Sequence, residues 1–254
     1  MTTIDRFSLC TVPLELLANK TPLNVRATGF VWKRGQQHYL VTNWHVITGK
    51  NIQTGELELP ARPDSFRALF NFPTGDFGKS EASIDLRDTN GKPLWFVHPS
   101  GSRIDVVVLP LNLSPTTAVD LSPINSYISK PLRIQIGMEV FILGYPFGMD
   151  PPGFPVWKRG TIASEPDLVP SRTSYYLVDT ASRPGMSGAP VILRSWTNDY
   201  VDGSVRAIMD TPATNFIGVY SGRLIAASHE AQIGMVWHQS YIEDIIGSSV
   251  RDTD

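Results

Sequence analysis

Short runs of large apolar and β-branched residues, cut by glycine and proline, recur along almost the whole chain. The clearest are "GFVWKR", "HYLVTNW", "LWFVHP", "IDVVVLPL", "EVFILGYP", "SYYLVDT", "APVILR", "NFIGVYSG" and "IGMVW". Each has strand length and strand composition, and the twenty glycines and twenty prolines supply the turns between such runs. The pattern predicts an all-β body. Helix signals are concentrated near the end, where "SYIEDIIG" offers Ser240 as N-cap, Glu243 as its capping-box partner and Gly247 as a stop. One short C-terminal helix is expected, and the polar tail "SSVRDTD" beyond it is expected to fray. Two stretches, "TGKNIQTGELELPARPDSF" and "RSWTNDYVDGSVRAIMDTPATN", carry no clear period, and loops of that length are usually functional or mobile.

Composition narrows the function classes. The 254 residues suffice for one large domain, and a net charge of -2 without a basic stripe excludes a general nucleic-acid binder. No apolar run is long enough to cross a bilayer, so no membrane partner is expected. The opening "MTTIDRFSLCTVPLELLANK" has an acid at Asp5 and no basic n-region, and Cys10 is the single cysteine. Neither a signal peptide nor an intrachain disulfide is expected, which favours the cytoplasm. The chain carries no paired-cysteine motif, no His-Glu-x-x-His and no phosphate-cradling glycine loop, so no metal and no cofactor are expected.

One stretch stands out chemically. In "RPGMSGAP", residues 183–190, glycine and proline crowd Ser187 in a run that fits neither helix nor strand. A hydroxyl becomes a useful nucleophile only with a base, a group that orients the base, and donors for the developing oxyanion. Gly185 permits unusual dihedrals, so the Gly185 and Ser187 amides can point into one small hole. Among five histidines, His45 emerges at a polar break after an apolar strand, whereas His38 follows a turn and reads as surface, His98 sits in a turn, His229 neighbours Glu230, and His238 ends a strand. The orienting carboxylate must be held at a strand edge, as Asp105 is, just ahead of "VVVL"; Asp85 and Asp88 have polar neighbours and read as solvated.

The order His45, Asp105, Ser187, with spacings of 60 and 82 residues, resembles a chymotrypsin-fold serine peptidase. The HtrA (DegP-like) branch is most similar, through "LVTNWHVI", "IDVVVLPL", "LGYPFGM", "RGTIAS", "DTASRPGMSGAPVI" and "IGVYSG". The resemblance implies two packed six-stranded antiparallel β-barrels, about 20–120 and about 130–247, in a single peptidase domain. It implies a serine endopeptidase acting through an acyl-enzyme on a protein or peptide substrate, with no cofactor. By the same match, the oxyanion hole is built from Gly185, Met186 and Ser187. The resemblance further implies a primary pocket lined by Ala181, Ser182, Arg183, Tyr220, Ser221 and Gly222.

The chain also departs from the family pattern. Met186 stands where secreted trypsins carry the aspartate that pairs with the new N-terminus, and no PDZ domain follows within these residues. Trp44, bulkier than the usual neighbour, is expected to pack under His45 or to line the cleft. With Ala181 where basic specificity needs a carboxylate, a small or medium apolar residue is expected before the scissile bond. Asp179 turned inward would instead favour Lys or Arg. The competing functions are a protease-fold binding module without catalysis and an α/β-hydrolase esterase using Asp202 or Asp210 with His229 or His238. The esterase requires alternating helices that the chain lacks before residue 228. The two long loops motivate a further expectation, that a regulatory protein partner orders them and switches on a latent site.

Overall fold

The computed structural model describes residues 4–72, 78–114, 117–127, 132–148, 153–181, 183–196, 198–201, 204–207, 212–223 and 232–254. In chain order it opens with helix α1 (Arg6–Cys10), strands β1 (Thr11–Ala18), β2 (Thr21–Arg34) and β3 (Gln37–Thr42), and helix α2 (Trp44–Thr48). Strands β4 (Ser65–Asn71), β5 (Lys79–Asp85), β6 (Phe96–Val97) and β7 (Val107–Pro110) complete the first half. The second half contains β8 (Glu139–Gly144), β9 (Val156–Ile162), β10 (Tyr175–Asp179), β11 (Pro190–Ser195), β12 (Asn198–Val201) and β13 (Ser204–Ala207). It ends with β14 (Ala213–Arg223), β15 (Ile233–His238) and helix α3 (Ser240–Ser248).

The first half is an antiparallel seven-stranded sheet in the order β5-β4-β1-β2-β3-β7-β6, and the second is a closed barrel, β10-β15-β14-β11-β8-β9. The barrel has the expected six strands. The first sheet differs from the expected six-stranded barrel: it has seven strands and ends in β6, which pairs with β7 over only two positions, Phe96 with Val108 and Val97 with Val107. Strands β1 and β2 are joined through Asn19 and Lys20, both with left-handed φ (49° and 64°), the geometry that a tight hairpin needs. The unpatterned stretch after residue 194 contains a small hairpin of β12 with β13.

Burial follows the period-two pattern, as in β4 and β8, where inward residues alternate with half-buried ones before the strand ends become wholly buried. Three apolar cores result. One fills the first sheet around Leu14, Leu40, Phe66 and Trp95. Another fills the barrel around Ile142, Val178, Met186 and Val191. The third joins the halves through Phe30, Trp32, Phe216, Trp237, Ile242 and Ile245. Helix α3 is thus part of the seam, and Glu243 accepts a 2.8 Å hydrogen bond from Trp32 Nε1. The helix starts at Ser240, with Gln239 as N-cap, and runs one residue past Gly247 to a left-handed Ser249.

The tail beyond α3 is ordered, against the expectation of fraying. Val97 N donates to Val250 O at 2.9 Å, and Arg251 bridges to Phe96. Edge strand β6 leaves backbone groups open, and the tail satisfies some of them. Among the described residues, no helix is long and apolar enough to cross a membrane.

Candidate active site

His45 lies in α2, directly after β3, and Asp105 just precedes β7, so pairing of β3 with β7 (Thr42 opposite Val107) brings the two together. His45 Nδ1 is 2.7 Å from Asp105 Oδ2, and the His45 amide donates to Asp105 Oδ1 at 3.0 Å. Ser221, on β14, donates its hydroxyl to Asp105 Oδ2. Asn43 Nδ2 donates to the Asp105 carbonyl at 2.7 Å. The Asp105 side chain is 1% exposed against 29% for His45: the carboxylate is enclosed while the imidazole faces the cleft. A buried carboxylate requires such donors, since unpaired it carries a large desolvation cost. Burial by itself lowers the His45 pKa, but the charge and hydrogen bond of Asp105, helped by Glu58, outweigh it. His45 titrates above the ordinary imidazole value.

Ser187 stands on a turn whose shape only glycine allows. Gly185 has φ 93° and Gly188 has φ 83°. A β-carbon at Gly185 would overlap the Tyr145 carbonyl oxygen, and one at Gly188 would overlap the Thr28 carbonyl oxygen. The Pro184 carbonyl accepts from Phe147 N at 2.8 Å, and the Gly185 carbonyl accepts from Thr28 Oγ1 at 2.7 Å. Across a trans peptide, the amide points opposite to the carbonyl. With the Pro184 carbonyl held by Phe147, the Gly185 amide faces the other way. Among the described residues, neither the Gly185 nor the Ser187 amide donates a hydrogen bond. Phe147 holds this contact from a left-handed φ of 55° and is 62% exposed, a conformation that a bulky residue rarely adopts.

Ser187 Oγ would lie 3.8 Å from a β-carbon at Gly222, next to the Ser221 that bonds Asp105. The serine loop and the histidine strand are also tied through Thr28: its amide donates to Ser187 O at 2.9 Å, and its carbonyl accepts from Thr42 Oγ1 at 2.9 Å. No hydrogen bond joins Ser187 Oγ to His45 among the described residues, and such bonds are commonly loose until substrate arrives. A cleft of about 370 Å³ opens beside His45, with Lys50, Ile52, Glu58, Tyr175 and Trp237 in its walls. The loop carrying Lys50 and Glu58 is built rather than patternless: Lys50 bridges to Leu57, and Asn51 N donates to Glu56 O at 2.8 Å.

Of the residues expected to form the primary pocket, Ala181 is half-buried, Arg183 is exposed, and Ser182 lies outside the described residues. Tyr220 is 1% exposed and packs in the barrel core, where Gly234 makes room for its ring. Gly222 is half-buried, and Ser221 serves Asp105. Met186 is buried under the serine, against Gly144. Asp179 is exposed at the end of β10. Asp202, Asp210 and His229 lie outside the described residues, and His238 bonds its neighbour Ser240. Sequence reasoning missed Thr28, Asn43 and Phe147. Only Thr28 left a signal, as a polar residue entering the apolar run "GFVW". Among the described residues, no acidic, histidine or cysteine cluster could hold a metal ion.

A family model described as a trypsin-like peptidase domain matches residues 27–197. No curated protein matches significantly. Among solved structures, the HtrA-type protease AlgW with a tripeptide is 17% identical, with a TM-score of 0.53 over 96% of this chain and 61% of that one. The chain thus spans less than two thirds of the AlgW structure. The active form of the Rv3671c protease from M. tuberculosis is 18% identical, with a TM-score of 0.49 over 95% of this chain and 81% of that one. At these identities the likeness to AlgW is one of fold, the two-part chymotrypsin-like β architecture.

Proposed function

Since this chain belongs to the trypsin-like peptidase domain family, we propose that it is a serine endopeptidase in which Ser187, His45 and Asp105 form the catalytic triad. The observation that carries the reading is the enclosed Asp105 carboxylate on His45 Nδ1 at 2.7 Å, in a cleft beside a glycine-shaped turn that presents one serine. Asp105 fixes the tautomer with the proton on Nδ1, leaving Nε2 free to accept. Ser187 Oγ attacks the scissile carbonyl while His45 Nε2 takes its proton. The negative charge develops on the carbonyl oxygen, opposite the unengaged Gly185 and Ser187 amides. His45 then returns the proton to the departing amine, and the acyl group remains on Ser187. Water, deprotonated by His45 in turn, attacks the acyl carbon and releases the new carboxylate and the free serine. No metal or cofactor enters these steps.

Titration with a fluorophosphonate probe tests the reading. Wild type should label to about one probe per chain, and Ser187→Ala should not label. An unlabelled wild type would support the non-catalytic binding module instead.

A further inference from the structure

We infer that Asp252, in the segment that follows α3, is a positioning residue for His45 and acts through Trp44; the inference deepens the peptidase reading and rests on it. An indole has one N–H donor and no acceptor, so a buried tryptophan needs a partner placed for that single bond. Two such indoles converge on one carboxylate oxygen. Trp44 Nε1 donates to Asp252 Oδ2 at 2.8 Å, and Trp95 Nε1 donates to the same atom at 3.0 Å. Both rings are buried. Trp44 directly precedes His45, so the direction of its indole sets the attitude of the turn that carries the imidazole.

That turn cannot hold itself. Helix α2 has five residues, and its N-cap Asn43 makes no side-chain cap bond, whereas a single helical turn is unstable alone. On its inner side Asp105 takes the His45 amide and imidazole. On its outer side Asp252 takes the Trp44 indole, so the helix is gripped between two aspartates. The outer one is itself anchored. Val97 N donates to Val250 O, Arg251 Nη1 donates to Pro93 O at 3.2 Å, and Asp254 pairs with Arg62 at 2.6 Å and Arg87 at 3.3 Å. Asp254 also pairs with Lys50, two residues past the end of α2 and in the wall of the cleft. The segment therefore holds the catalytic helix at both ends. Small displacements of a reacting group of the order of 1 Å can cost about 10²-fold in rate, so the grip bears on chemistry as well as on stability.

The test pairs the rate of Ser187 acylation by a fluorophosphonate with the NMR titration of His45 in wild type, Asp252→Ala, Asp252→Asn and Trp44→Phe. Acylation is expected to slow about tenfold in Asp252→Ala and Trp44→Phe, with no further loss in the double variant. Asp252→Asn keeps an acceptor oxygen and should fall between. The His45 titration should move down as the imidazole loosens from Asp105, with Glu58, Lys50 and Arg103 the other charged groups lining its cleft. Thr253→Ala, which keeps both indole bonds, should match wild type. A folded Asp252→Ala with unchanged acylation and unchanged His45 titration would overturn the inference. If that variant does not fold, Trp44→Phe decides in the same way. If wild type never labels, the peptidase reading fails, and the His45 titration alone still decides the role of Asp252.

Discussion

A β-carbon at residue 185 would clash with the Tyr145 carbonyl oxygen, and its φ of 93° is foreign to side-chain-bearing residues. Gly185→Ala must therefore rotate the Pro184–Gly185 peptide away from Phe147. The expected outcome is a loss of about 10²–10³-fold in acylation rate, the cost of one oxyanion donor, with the far-ultraviolet dichroism of the barrel kept. Asp105→Asn would remove the tautomer control proposed for Asp105 and should cost about 10⁴-fold in kcat. The raised pKa of His45 has a definite sign. In the proposed mechanism neutral His45 is the base, so the acidic limb of kcat/KM should lie above the ordinary imidazole value of about 6.5, and His45 NMR titration reads the same group. The pairing with charged His45 adds stability that is fully present below that ordinary value and is lost as pH rises through the higher folded value. Ser187, His45 and Asp105 could be picked out as candidates because Ser187 stands alone in a glycine- and proline-rich run, Asp105 heads an apolar run, and His45 follows the polar break at the end of one. Ser221 was legible only as a neighbour of the pocket. Its bond to Asp105, 116 residues away, leaves no local trace in the sequence.

Among the elements, β2 does more than its sequence announces. Thr28 Oγ1 donates to the Gly185 carbonyl and accepts from the Tyr145 amide at 3.2 Å, so one hydroxyl ties the first sheet to two loops of the barrel. Thr28→Val keeps the shape and strands both groups, each in a buried setting. Stability should fall by about 1–3 kcal/mol in denaturant titration, and acylation should slow about tenfold as the serine turn loosens. Helix α3 was legible as an element, but its caps and its partner were not: Gln239 and Ser249 flank it in place of Ser240 and Gly247, and Glu243 accepts from Trp32 instead of closing a capping box. Ile245 is wholly buried in the seam between the halves, so Ile245→Ala should cost about 2–5 kcal/mol, measured in the same titration. Strands β1, β4 and β5 were not singled out, for a physical reason. Pro13 breaks the run of β1, and β5 (Lys79–Asp85) shows water one polar face, with only Ala82 and Ile84 turned fully inward. The polar tail read as frayed because its charges looked solvated, and their partners Lys50, Arg62, Arg87 and two indoles come from the other half of the chain.

At the scale of the whole molecule, activity at rest depends on how the surrounding loops hold the proposed site. A latent peptidase of this design needs an element in the wrong place at rest, and the critical one is the peptide before Gly185. Reversed, it would aim the Pro184 carbonyl where the substrate oxygen must sit, and no triad geometry could compensate. The described contacts favour the opposite orientation: Phe147 N holds that carbonyl and Thr28 holds the next, each from an element fixed by its own sheet or loop bonds. The loop from Gly49 to Glu58 is likewise closed by its own hydrogen bonds. We therefore expect purified protein, with nothing added, to take up a fluorophosphonate to about one equivalent and to cleave an unstructured peptide library. The residue before the cut is expected to be small or apolar, since Ala181 offers no carboxylate and Tyr220 packs its ring into the barrel core. Labelling that begins only when another protein is supplied would place the control outside the chain, and a dominant Arg or Lys signal would bring Asp179 back as the specificity residue.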